Sequence, residues 1–146
     1  MADGDNVHLR LELVAPQGPV FEGDVDMVVV PAVTGEMGIL PRHAPLVAQL
    51  AIGQLRTLTP EGQWVTFAVA EGFVKVQFNK VIVLADTAEE ASKIDVERAE
   101  KSVERALQRL ELHRSGTVAE DDPVDPYREQ LALKRARNRL KIAQMA

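Results

Sequence analysis

The chain has 146 residues and a mass of 16.0 kDa, near the commonest single-domain size, so it holds one compact domain or two small ones. Apolar residues at 46% and charged residues at 27% match globular averages and argue against disorder over the whole length. The longest apolar run, Met27 to Val33 with Pro31 inside it, falls far short of the ~20 residues of a membrane-spanning helix, and the lack of cysteine excludes disulfides and thiolate metal sites.

The opening segment MADGDNVHLR has no positive patch followed by an apolar stretch, so no secretory signal is expected and the chain should stay where it is made. In Val7 to Val14, Leu9, Leu11 and Leu13 alternate with His8, Arg10 and Glu12, the period of a half-buried strand. Pro16, Gly18, Pro19 and Gly23 mark a turn-rich stretch. Met27 to Val30 reads as a strand buried on both faces. Further strands are expected at Leu46 to Ile52, Gln54 to Leu58, Trp64 to Ala70, Phe73 to Phe78 and Val81 to Ala85, with a turn at Thr59-Pro60-Glu61-Gly62 and another at Asn79-Lys80. Six to ten short antiparallel strands predict a β-sandwich or flattened barrel over residues 1–88.

The pattern changes near Asp86. Ile94, Ala99, Val103, Ala106, Leu107 and Leu110 recur three and four apart, predicting an amphipathic helix over about residues 93–113 with Ser92 as its cap. Ser115 to Asp125, with Gly116, Pro123 and four acids, reads as a linker. Asp125 and Pro126 open a second helix, about 126–144, with a narrow stripe of Leu133, Ala136, Leu140 and Ala143. The class is therefore α+β: strands first, then an antiparallel helical hairpin over residues 89–146. So few large apolar residues give the hairpin a weak core of its own, and it is expected to detach or rearrange.

Charge follows the same division. Residues 1–88 carry 5 basic and 10 acidic side chains, residues 89–125 carry 6 and 11, and residues 126–146 carry 6 basic side chains against Glu129 alone. The basic tail suits an acidic partner, nucleic acid or an anionic ligand; the bland alternative is a solvated helix face. Nucleic acid is disfavoured, because Tyr127 is the tail's one aromatic and the protein is acidic overall.

No catalytic centre is legible. His8, His43 and His113 are scattered, against the close spacing a metal site wants. No serine sits in a Gly-x-Ser-x-Gly setting, and Gly35 to Gly38 lacks the Lys-Ser/Thr ending of a phosphate loop. A cluster of Glu36, His43 and Glu71 is the one acid/base arrangement to consider. Asp95 with Arg98, and Arg135 with Arg139, each share a helix face. On a folded-back hairpin they would form a polyanion site, or else ordinary surface ion pairs.

Gly35-Glu36-Met37-Gly38-Ile39-Leu40-Pro41-Arg42-His43-Ala44-Pro45-Leu46, then Gly53-Gln54-Leu55-Arg56, Gly72-Phe73-Val74, Asn79, and Val83-Leu84-Ala85-Asp86-Thr87-Ala88-Glu89 resemble the epsilon subunit of bacterial F-type ATP synthases over nearly the whole chain. The resemblance implies a non-catalytic rotor subunit of the central stalk in a proton-translocating enzyme, peripheral on the cytoplasmic face of the bacterial plasma membrane. Its sandwich would hold the gamma subunit and stand on the c ring, with Glu36, Arg42 and His43 as c-ring contacts. Its hairpin would fold on the sandwich or extend toward the alpha/beta subunits, where Arg128, Lys134, Arg135, Arg137, Arg139 and Lys141 would meet an acidic segment of beta, suppressing ATP hydrolysis.

Some relatives hold regulatory ATP through Ile-Asp-x-x-Arg-Ala, which here reads Ile94-Asp95-Val96-Glu97-Arg98-Ala99. By the same resemblance Glu89, Arg135 and Arg139 would join the site; no obligatory cofactor is implied. Glu71 departs from an expected glycine and Lys75 from a usual acid, and the linker is longer and more acidic than the expected turn. An acidic linker beside a basic helix would hold the hairpin closed without nucleotide. A stand-alone ligand-binding β-sandwich with a helical appendage is the alternative function.

Overall fold

A computed structural model describes residues 7–116 and 124–145. Strand β1 (Leu9–Ala15) keeps its alternation, with Leu9, Leu11 and Leu13 fully buried. It is followed by β2 (Gly18–Val25), β3 (Met27–Ala32), β4 (Gly35–Ile39), β5 (Leu46–Leu50), β6 (Gly53–Leu58), β7 (Trp64–Gln77) and β8 (Lys80–Glu90). Hydrogen bonding runs β2-β1-β8-β7-β5-β3-β4, and β6 joins β3 to β7. All pairings are antiparallel except β1 with β8, which run parallel from Arg10 opposite Lys80 to Val14 opposite Leu84. The two layers enclose a core that includes Val28, Val30, Ile39, Leu55, Val74 and Val83. Phe21 meets Phe67 edge to face at 5.8 Å, a favourable aromatic geometry.

Several strands differ from the sequence reading. The stretch through Gly18, Pro19 and Gly23 is the edge strand β2, not a run of turns. An edge tolerates proline and glycine because one side of its ladder is unused, and Arg10 of β1 ties it down through Glu22 at 3.1 Å and Asp24 at 3.5 Å. The strands expected on either side of Gly72 are one, β7, which keeps a single register against β8 from Phe67–Glu90 to Gln77–Lys80. β5 and β6 lie end to end along β7, with a gap at Ala51–Ile52. The turn at 59–62 closes as expected, Gly62 N–H donating to Thr59 O at 2.9 Å.

The gap opposite Ala51 marks a bend in β7. Glu71 has φ +58° and Gly72 φ +118°, so two successive residues leave the ordinary strand region. A Cβ on Gly72 would lie 1.9 Å from the Leu84 carbonyl oxygen, so glycine is required there. Glu71 carries a side chain in the left-handed region, at a cost of about 1 kcal/mol or more.

β8 continues to Glu90, beyond the Ala85 end and the 88/89 boundary read from sequence, because Glu89 and Glu90 still pair with Ala68 and Phe67. A short 3-10 turn (Ala91–Lys93) then takes up Ser92. Helix α1 (Val96–Ser115) starts later than expected. Its cap is Asp95 instead of Ser92, the Asp95 carboxylate accepting from Arg98 N at 3.0 Å, and Gly116 ends it at φ +74°. Helix α2 (Pro126–Ala143) has the expected Asp125 cap and Pro126 start. Most of the Ser115 to Asp125 linker lies outside the described residues.

The helices pack on one another through buried Ala99, Ala106 and Ala136 and through Arg109 Nε, which donates to Glu129 at 2.7 Å. Leu107, placed on the apolar face by spacing, is 43% exposed. α2 supplies most of the docking onto the sandwich. Ile142, 1% exposed, packs with Ala68, Ala91 and Ile94 in a small second core, and Asn138 Nδ2 donates to Gly53 O at 2.9 Å.

Candidate functional site

The bend in β7 and the end of β8 set two carboxylates beneath α2. Arg139 grips Glu89 with Nε at 3.2 Å and Nη2 at 2.9 Å from Oε1, and Nη2 also lies 3.2 Å from Oε2. One helical turn earlier, Arg135 Nη2 donates to Glu71 Oε1 at 2.7 Å. Spacing of four puts both arginines on one face, and α2 turns that face inward because Ile142 and Asn138 anchor it there.

Between these arginines, α1 and the strands lies a cleft of about 400 Å³. Ala68, Val69, Ala70 and Ala88 form its floor, and Arg98 of α1 joins Glu89, Arg135 and Arg139 at its walls. The Arg98 guanidinium has no partner among the described residues, its recorded hydrogen bonds being backbone ones. Three guanidiniums around a small apolar floor form an arrangement that can hold an anionic, phosphate-bearing group. Of the seven residues expected there, the structure brings four to the cleft, Glu89, Arg98, Arg135 and Arg139. The other three act locally: Asp95 caps α1, Ile94 packs on Ile142 and Ala99 is buried between the helices. Glu71 and Asn138 were missed as docking residues, since only their partners, 64 and 85 residues away, reveal them.

The basic tail is divided by the fold. Lys134, Arg137 and Lys141 are exposed at spacings of three and four, and Arg128, also exposed, lines the groove between the helices with Arg105 and Arg109. Arg135 and Arg139, grouped with them by sequence, are half-buried against the sandwich.

The c-ring candidates separate too. Arg42 has φ +68° and its N–H donates to Asn79 Oδ1 at 2.6 Å, and His43 Nδ1 lies 2.7 Å from Ala44 O. This loop and the β7–β8 turn share one end of the sandwich, with Leu40 at 55% and Phe78 at 87% exposure. Glu36 sits at the opposite end of β4, 3.2 Å from Arg56. Glu36, His43 and Glu71 therefore do not assemble into an acid/base cluster, each being held by a different partner. Among the described residues no three His, Asp or Glu side chains gather as metal ligands, and no helix is long and apolar enough to cross a membrane.

Residues 8–91 match the family model for the beta-sandwich domain of the ATP synthase delta/epsilon chain, and residues 92–144 match its long alpha-helix domain. The ATP synthase epsilon chain of Halalkalibacterium halodurans is 48% identical over 92% of this chain and 96% of that relative. That of Desulforamulus reducens is 44% identical over the same shares. In fold, the chain is similar to one in the mitochondrial ATP synthase of Euglena gracilis, with TM-score 0.74 and 23% identity over 94% of this chain and 81% of that one. By its two matched domains and the identity to these relatives, the chain belongs to the ATP synthase delta/epsilon chain family.

Proposed function

We propose that this chain works as a non-catalytic rotor subunit, coupling the catalytic head of an F-type ATP synthase to its c ring from the cytoplasmic face of the bacterial plasma membrane. The sandwich would hold gamma, and the end bearing Leu40, Arg42, His43 and Phe78 would meet the c ring. The hairpin would act as a brake on ATP hydrolysis: extended, its exposed Arg128, Lys134, Arg137 and Lys141 would face an acidic segment of beta, joined by Arg135 and Arg139 once released. Regulatory ATP in the Arg98–Arg135–Arg139 cleft would favour the compact form by mass action. A stand-alone binding module accounts less well for similarity that spans both domains.

The observation that carries the braking reading is how the hairpin is attached. A handful of small side chains, two isoleucines and partly exposed ion pairs join it to a much larger sandwich core. The test is ATP hydrolysis by the matching alpha-beta-gamma complex with no addition, with the full chain, and with residues 1–91. Inhibition by the full chain alone supports the brake. Gamma binding by both forms without inhibition removes the brake and leaves the coupling role, and failure of either to bind gamma removes both. Arg98→Ala is expected to weaken ATP binding while leaving the nucleotide-free hairpin docked, because no docking contact uses that guanidinium; titration calorimetry with ATP measures it.

A further inference from the structure

We propose that Glu71 is a built-in counter-ion that latches the hairpin to the sandwich without any bound ligand, so that a phosphate-bearing ligand must take Arg135 from it. The second half rests on the nucleotide reading above; the first does not. Three observations meet at this residue. Its backbone is left-handed at φ +58°, a conformation that glycine adopts without strain and other residues rarely do. Strain of this kind persists where the side chain is of use. That side chain reaches off the sandwich to Arg135 at 2.7 Å, across the wall of the cleft that Arg135 lines. Glu89 does the same to Arg139 one turn away. Two of the three cleft arginines are thus already neutralised by carboxylates of the strands, and Arg98 alone faces the cleft without a partner among the described residues. The compact hairpin consequently does not depend on nucleotide for charge balance.

Both ion pairs are about a third exposed, so the latch is weak and screened by salt. The experiment is hydrogen exchange of the full chain without nucleotide, comparing wild type, Glu71→Gln and Glu71→Gly, with α2 peptides (126–143) set against β7 and β8 peptides. Loss of a partly exposed ion pair predicts α2 exchange faster by about fivefold in both variants, at low salt, with the gap closing as salt rises. Glu71→Gly relieves the backbone, so its β7 and β8 peptides should exchange no faster than wild type. The double exchange Glu71→Arg with Arg135→Glu should return α2 toward wild-type protection. Unchanged α2 exchange in Glu71→Gln overturns the latch, and so does equal acceleration of α2 and β7 in Glu71→Gly, which would make Glu71 a support for the bend alone. A parallel series with ATP separates the two ideas. Restored α2 protection in the variants supports displacement of Glu71 by phosphate, whereas no protection in any form overturns the displacement and the nucleotide reading while leaving the latch to stand on the nucleotide-free comparison.

Discussion

The sandwich and the hairpin are held together in opposite ways. In the sandwich, Leu9, Leu11, Leu13, Val28, Val30 and Val83 are completely withdrawn from water, and each contributes roughly 1.5–3 kcal/mol of burial. In the two helices the buried set among the described residues is Ala99, Ala106, Ala136 and Ile142, and alanine has little to bury. Half-buried Val103, Leu110, Leu131, Leu133 and Leu140 add to that set, and the rest is polar: Arg109 with Glu129 between the helices, and Arg135, Asn138 and Arg139 onto the strands. Polar contacts of this strength lie within reach of salt, a ligand or a competing surface. A core of leucines and valines does not, so the two halves are expected to loosen under different conditions.

The sharpest way to break this contrast is at the bend in β7. Gly72→Ala forces a Cβ against the Leu84 carbonyl at a positive φ, and we expect a loss of more than about 3 kcal/mol, seen as the whole chain unfolding earlier in urea. Ile142→Ala comes next. It should cost about 3 kcal/mol of docking, read as rapid proteolysis within 126–143 while the sandwich melts as before; earlier melting of both would show them to be one cooperative unit. The smallest effect belongs to Glu111, whose carboxyl is held below the usual range by the hydrogen-bonded Arg114 guanidinium, 2.9 Å away. A depressed carboxylate adds stability above its ordinary range and loses it as pH falls through the lowered value. Both groups are exposed on the last turn of α1, so Glu111→Gln should leave the helical circular dichroism at pH 7 unchanged within error.

Much of this was legible because local patterns match the burial they produce. Leucine alternation gave β1, and Asp125-Pro126 marked the start of α2. The misreadings share a cause. Gly18, Pro19, Gly23 and Gly72 signal breaks when only neighbours in sequence are considered, yet each lies in a strand whose partners hold it. Ser92 looked like a cap because the helix pattern begins with Ile94, but Ile94 serves the second core and Asp95 takes the cap. The cleft was half visible: the spacing of Arg135 and Arg139 predicted one face, while the carboxylate awaiting Arg135 stood at a position that only the family resemblance marked as a departure.

The parallel pairing of β1 with β8 has a consequence for how the chain is made. Its partners, from Arg10–Lys80 to Val14–Leu84, are 70 residues apart, so β1 waits for β8 to be made before its inner ladder can form. High contact order of this kind slows closure, and until β8 emerges β1 has only β2 beside it. The helices α1 and α2 come after β8 in the chain, so the strand they dock beside is made before them. Birth order thus puts the sandwich strands ahead of the helices that dock on them.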